Sequence, residues 1–171
     1  MKATFIHTTR YFLFAILAMS LTACGFHLRG QVDLPISLKT LTLTSESGSD
    51  EFDRALRIAL VKAGVVILEE SNANKNTFNL KVNKITSSDT DLAYDSSNDV
   101  TQVQRRLSSY YFIRQADGKS LYGPRQISTS RVLENQDSSA STALSYNTSQ
   151  MKAMYTNLAA QLVSDLNYAP L

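Results

Sequence analysis

Hydrophobic and polar positions alternate along this chain with a period that changes several times, and each change marks an element. Tyr11 to Leu21 (YFLFAILAMSL) is an almost unbroken apolar run of eleven residues. Such a run is too short to span a bilayer, which takes about 18 to 20 apolar residues. Leu38 to Thr44 (LKTLTLT) sets Leu41 and Leu43 among β-branched residues and predicts a strand. Phe52, Ala55, Leu56, Ala59, Leu60 and Ala63 then recur at helical spacing. Ser49 or Asp50 suits the N-cap of that helix, Asp50, Glu51 and Asp53 suit its positive end, and Gly64 stands where a C′ glycine belongs. Val65 to Leu68 reads as a short buried strand or the lead-in to one, and Ser71 to Asn76 as a polar turn.

Phe78, Leu80 and Val82 alternate with Asn79, Lys81 and Asn83, the pattern of a strand buried on one face. This strand can run on past Ile85 into a polar stretch, with a hairpin tip or mobile loop around Asp95 to Asp99. Val100 to Arg114 predicts a long strand. Val103, Leu107, Tyr111 and Ile113 share one parity; Gln102, Gln104, Arg106, Ser108 and Tyr110 share the other. Asp117-Gly118 marks a hairpin turn, and Ile127, Thr129, Arg131 and Leu133 lie on the returning strand. After a Ser/Asp/Asn-rich loop, Ala143 to Leu166 predicts a helix with Leu144, Met151, Met154, Tyr155, Leu158, Leu162 and Leu166 as its apolar stripe. Asn167 to Leu171, with Pro170, forms a loose tail.

One-sided strands and one-sided helices bury each other by packing face to face. The expected fold is therefore α+β: a two-layer sandwich in which a mixed sheet of about four strands carries both helices on one face. The opening strand–helix–strand unit should be a right-handed crossover. The other sheet face, with its Arg, Gln, Ser and Tyr residues, is left to solvent or to a partner.

Composition narrows the chemistry. The chain has 171 residues, 43% of them hydrophobic, and a formal charge of +2. That charge is too small for a nucleic-acid binder. One Cys excludes an intramolecular disulfide and any multi-cysteine zinc site, and two His, at 7 and 27, leave little for a metal centre. No metal site and no cofactor is expected.

The amino terminus is the most specific segment. Lys2 and Arg10 are basic, and no acid precedes Asp33. The apolar run has the length of a signal-peptide core, roughly 7 to 15 residues, and ends at Leu21-Thr22-Ala23-Cys24. Cys24 is the sole cysteine. The segment resembles a bacterial lipoprotein signal with its lipobox. The resemblance implies cleavage before Cys24, a diacylglycerol thioether on its sulfur and an N-acyl chain on the new amino terminus. Each buried CH₂ contributes about 0.8 kcal/mol, so several acyl chains on one residue make attachment effectively permanent. Gly25 in place of Asp after the cysteine points, by the same resemblance, to the outer membrane. The expected organisation is a cleaved signal peptide at 1–23, a lipidated N-terminus and tether at 24–37, and a single domain at 38–171. Removing the first 23 of 171 residues leaves 148, in which 15 of the 17 basic residues face 15 acidic ones.

Catalytic signatures are missing. No G-x-S-x-G, H-E-x-x-H, P-loop or G-x-G-x-x-G is present, so no enzyme activity is expected, although serine–lysine chemistry is left open. An acylated Cys24 is no nucleophile, and His27 reads as a tether or surface residue. Arg105, Arg106, Arg114, Arg125 and Arg131 fall on or beside the two strands around Asp117-Gly118, and the only acid between Gln102 and Glu134 is Asp117. Two readings fit. With Tyr110 and Tyr111 they form a surface for an anionic lipid headgroup or an acidic partner. Alternatively they are a solvated sheet face whose charge discourages edge aggregation.

Cys24-Gly25-Phe26-His27-Leu28-Arg29-Gly30 after the lipobox, Leu60-Val61-Lys62-Ala63-Gly64-Val65, Arg131-Val132-Leu133-Glu134-Asn135, and Met154-Tyr155 with Leu158-Ala159-Ala160-Gln161-Leu162 together resemble the lipopolysaccharide-assembly lipoprotein family (LptE, also called RlpB). The chain departs from the family in the acidic loop at Asp95 to Asp99 and in the Ser-rich stretch after Asn135. The resemblance implies a lipoprotein held at the periplasmic face of the outer membrane. There it would plug the lumen of the β-barrel LptD, support its assembly and bind lipopolysaccharide for delivery to the outer leaflet. Arg105, Arg106, Arg114 and Arg131 are then candidates for lipopolysaccharide contact. A free-standing periplasm-facing lipoprotein with an enzymatic or envelope-stress role is the alternative.

Overall fold

A computed structural model describes residues 34–134 and 140–170. The elements are β1 (Thr40–Ser45), α1 (Asp50–Lys62), β2 (Val66–Leu68), β3 (Phe78–Val82), β4 (Thr86–Tyr94), β5 (Val100–Arg114), β6 (Ser120–Glu134) and α2 (Ala140–Leu166). The fold is α+β with a mixed open sheet, as expected, but with six strands rather than four.

Helix α1 begins and ends where its sequence says. Ser49 is the N-cap, its Oγ accepting from the Phe52 N–H at 3.3 Å, and Asp50, Glu51 and Asp53 occupy the first turn. At the other end Gly64 adopts φ +79°, which lets the Val65 N–H reach the Leu60 carbonyl and the Gly64 N–H that of Val61, both at 3.0 Å. Any residue with a Cβ would be strained in that left-handed turn. Phe52, Leu56 and Leu60 form the buried stripe.

Strand β1 pairs in parallel with β2 on one side and β3 on the other. Strand β5 organises the rest. One edge pairs with β6 along almost its full length, and the other pairs with β3 near Tyr111–Arg114 and with β4 from Val100 to Ser108. Strands β3 and β4 are thus two halves of one line, broken only at 83–85, where the Asn83 N–H still bonds the Tyr110 carbonyl at 2.8 Å. The tip between β4 and β5 falls at Asp95–Asp99 as expected, with Asn98 at φ +66°.

The parity of each strand decides its faces. Leu41, Leu80, Val82, Leu107, Tyr111, Ile113 and Ile127 are buried on one face and join a single core with α1 and with Met154, Leu158, Leu162, Val163 and Leu166 of α2. Both helices therefore cover the same side. Leu34 and Leu38, read from the sequence as tether and strand, are part of this core. Two expectations are corrected. Leu144, in line with the helix stripe, is 68% exposed because its turn lies beyond the core, and β2 is a half-exposed strand at the end of the sheet, with Val66 58% exposed.

Candidate binding surfaces

The sheet extends well beyond α1. The outer parts of β4, β5 and β6 form a three-stranded ribbon, which α2 follows along β6. Gln161 Oε1 accepts from the Ser128 N–H at 3.1 Å, Asn147 Oδ1 accepts from the Glu134 N–H at 3.0 Å, and Asn147 Nδ2 donates to the Glu134 carbonyl at 2.7 Å. Side chains of α2 thus occupy backbone groups on the outer edge of β6 and seal it against a further strand. Strand β4 has no such cover: its residues are exposed apart from the half-buried Ala93, and no strand among the described residues pairs with its outer edge. Its devices against edge pairing are irregular register at Asp91–Tyr94 and the charges of Asp89 and Asp91.

The four arginines proposed from the sequence do not form one patch. Arg105 sits on the helix side of the sheet, where its fork grips Asp89 (Nε to Oδ1 2.8 Å, Nη2 to Oδ2 2.5 Å). This grip holds the Asp89 carboxyl below the usual carboxylate range, against the opposing effect of its slight burial. Arg131 is the cross-strand neighbour of Arg105 and is exposed. Arg106 is the next residue along β5 and therefore faces the opposite side, across from Ser130. Arg114 lies eight residues further along β5, about 27 Å away. Arg105, Arg106 and Arg131 cluster partway along the ribbon, split between its faces; Arg114 is apart from them.

A cavity of about 240 Å³ opens between α2 and the ribbon, lined by Asp89, Val103, Arg105, Leu133, Glu134, Asn147 and Met151. Its walls combine apolar side chains with a guanidinium. That guanidinium is already engaged by Asp89, and Glu134 adds a second carboxylate. The fifth arginine, Arg125, is also engaged: its fork reaches Asp165 at 3.2 and 3.1 Å, and its guanidinium lies 5.6 Å from the Tyr122 ring. Alternation places residues on faces but does not reveal which acids reach across from other elements, which is why sequence reasoning missed both pairings.

The face away from the helices is polar and mostly uncharged over the ribbon. Thr86, Ser88, Thr90, Gln104, Arg106 and Ser108 share it by register. Arg106 is the one charged side chain of this set, so the face suits water or a polar wall that offers it an acceptor.

A serine–lysine spacing does occur at Ser149-Gln150-Met151-Lys152, but it lies on exposed turns of α2, and the Ser149 hydroxyl donates to the Ser145 carbonyl at 3.0 Å. No metal-binding cluster occurs among the described residues, and no helix among them is long and apolar enough to cross a membrane. Cys24 and His27 lie outside the described residues.

The fold is that of a class of small bacterial lipoproteins. A minor lipoprotein from Acinetobacter baumannii superposes with a TM-score of 0.64 at 19% identity, covering 78% of this chain and 94% of that one. Lipoprotein B from Nitrosomonas europaea gives 0.65 at 17% identity over 84% and 90%. Rare lipoprotein B from Shewanella oneidensis gives 0.61 at 16% over 74% and 92%. At these identities the likeness is one of fold.

In sequence, part of the chain resembles an LPS-assembly lipoprotein. A stretch of 59 residues, 34% of the chain, is 42% identical to the LPS-assembly lipoprotein LptE of Photorhabdus laumondii. The match spans 32% of that relative's length. No protein-family model matches the chain.

Proposed function

We propose that this chain is an outer-membrane lipoprotein of lipopolysaccharide assembly. In this reading Cys24 carries a diacylglycerol thioether and an N-acyl chain, which hold the domain at the periplasmic face. The folded domain plugs the lumen of the β-barrel LptD and supports its closure. It works by non-covalent contact and is not an enzyme. The observation that carries the reading is the 42% identical stretch shared with an LPS-assembly lipoprotein, in a chain with the fold of small lipoproteins.

The geometry is compatible with that role. The inner wall of a large β-barrel is polar, and the ribbon face, polar with Arg106 as its charge, suits it. Arg106 and Arg131 are exposed and make no ion pair among the described residues, so they are the members of the predicted set free to meet lipid phosphates. Arg105, held by Asp89, contributes by fixing β4 to β5.

Depletion of the chain in its host tests the reading. The expected result is loss of mature LptD and a fall in lipopolysaccharide at the cell surface. A Cys24→Ala variant, made without its anchor, should restore both poorly. Unchanged barrel maturation and unchanged surface lipopolysaccharide on depletion would overturn the proposal.

A further inference from the structure

At the end of the sheet away from the ribbon, the open face carries a groove of about 340 Å³. Among its lining residues are Thr42, Thr44, Glu70, Asn79, Arg114 and Gln115. We propose that this groove is a binding site for a carboxylate: the acidic side chain or chain end of a polypeptide segment laid over the open face. The proposal does not depend on the lipoprotein reading, and Arg114 is remote from the other candidate arginines.

Arg114 makes the case. Its guanidinium lies 5.3 Å from the centre of the Phe112 ring, two residues back on the same face of β5. Its Nε is buried and has no hydrogen-bond partner. Its side chain makes no ion pair among the described residues, unlike Arg105 and Arg125. A partly desolvated cation without a counter-charge is costly, and a buried polar group without a partner calls for an explanation. An anion in the groove, which Arg114 lines, supplies the counter-charge.

The surroundings select the kind of anion. Asn79 Nδ2 donates to the hydroxyls of both Thr42 and Thr44 at 2.9 Å, which fixes a polar floor. The Thr44 hydroxyl in turn lies 3.4 Å from Glu70 Oε1. The groove therefore pairs one unmatched positive charge with one carboxylate. A singly charged ligand is tolerated beside Glu70, whereas a phosphate dianion is repelled more strongly. Glu70 also offers an acceptor to a ligand N–H, such as the amide next to a chain-end carboxylate.

The test uses the full purified chain in detergent, labelled with ¹⁵N, and follows the side-chain signals of Arg114 Nε–H and Asn79 Nδ2. N-acetylglycine is the probe, with its neutral amide and inorganic phosphate as comparisons. The expected result is a saturable shift of the Arg114 signal with N-acetylglycine, at least tenfold weaker binding of phosphate, and none of the neutral amide. Arg114→Lys should weaken N-acetylglycine binding about tenfold, and Glu70→Gln should strengthen it a few-fold. Because the wild-type titration stands alone, a variant that misfolds does not blunt the test. No saturable shift, equal shifts with the neutral amide, or tighter binding of phosphate would each overturn the assignment.

Discussion

The hydroxyl of Tyr111, in the middle of the sheet, donates a 2.7 Å hydrogen bond to the Asp165 carboxylate near the end of α2. Burial, reinforced by this bond, pushes the Tyr111 phenol well above its ordinary pKa, so it stays a donor at all physiological pH. Asp165 simultaneously accepts the Arg125 fork from β6. One carboxylate thus ties the last helix to two strands. Tyr111→Phe keeps the buried ring and removes only the donor. It should cost about 1 to 2 kcal/mol, since Arg125 still satisfies the carboxylate. Urea unfolding followed by circular dichroism measures this, and an unchanged midpoint would contradict the role given to the bond.

Acid should weaken the fold through the same group. Asp165 and Asp89 both lie below the usual carboxylate range, the first chiefly through Arg125 and the second through Arg105. Lowered folded-state pKa values mean that the unfolded chain takes up protons first. The stability from these pairs is therefore complete above the ordinary carboxylate range and is lost progressively as pH falls through that range and on through the lowered folded-state values. Asp165→Asn should reduce stability at neutral pH and flatten the acid slope. A slope equal to that of the unsubstituted chain would exclude Asp165 as a contributor.

Gly123 tests the register of β5 and β6. It sits at φ +104°, and a Cβ built there would stand 2.6 Å from the Tyr111 carbonyl oxygen. The clash is with backbone, so no side-chain rotation relieves it. Gly123→Ala should destabilise the domain by about 2 to 4 kcal/mol, from the left-handed conformation and the overpacking together. A loss below 1 kcal/mol by thermal unfolding, taken as roughly the low end of either effect, would show that the strands can shift.

The sealed edge of β6 gives a fourth expectation. Asn147→Ala leaves both the Glu134 N–H and its carbonyl without their side-chain partners. Stability should fall by about 1 to 3 kcal/mol. Adding Gln161→Ala, which frees the Ser128 N–H, should also promote self-association, because an unsealed edge invites strand pairing. Sedimentation velocity reads this directly, and a double variant no more associated than the parent would contradict it.

Alternation made the sheet legible wherever one face is buried. Phe78–Val82 and the parity of Leu107, Tyr111 and Ile113 read correctly for that reason. Strand β4 was only partly legible. Thr86, Ser87, Ser88, Asp89, Thr90 and Asp91 carry no apolar alternation because both faces are wet, and only pairing with β5 holds them extended. Leu144 misled for the converse reason: helical spacing places it near the stripe, but the turn it occupies leaves it in solvent. The arginines were visible as residue types. That Arg105 and Arg125 are answered by Asp89 and Asp165 depends on contacts 16 and 40 positions apart, which no local pattern encodes.

Native mass spectrometry of the chain extracted from outer membranes in mild detergent asks the central question in one spectrum. The account predicts a complex of one triacylated polypeptide, starting at Cys24, with one copy of a much larger β-barrel protein. A lone polypeptide with a free Cys24 thiol and no bound barrel would contradict it.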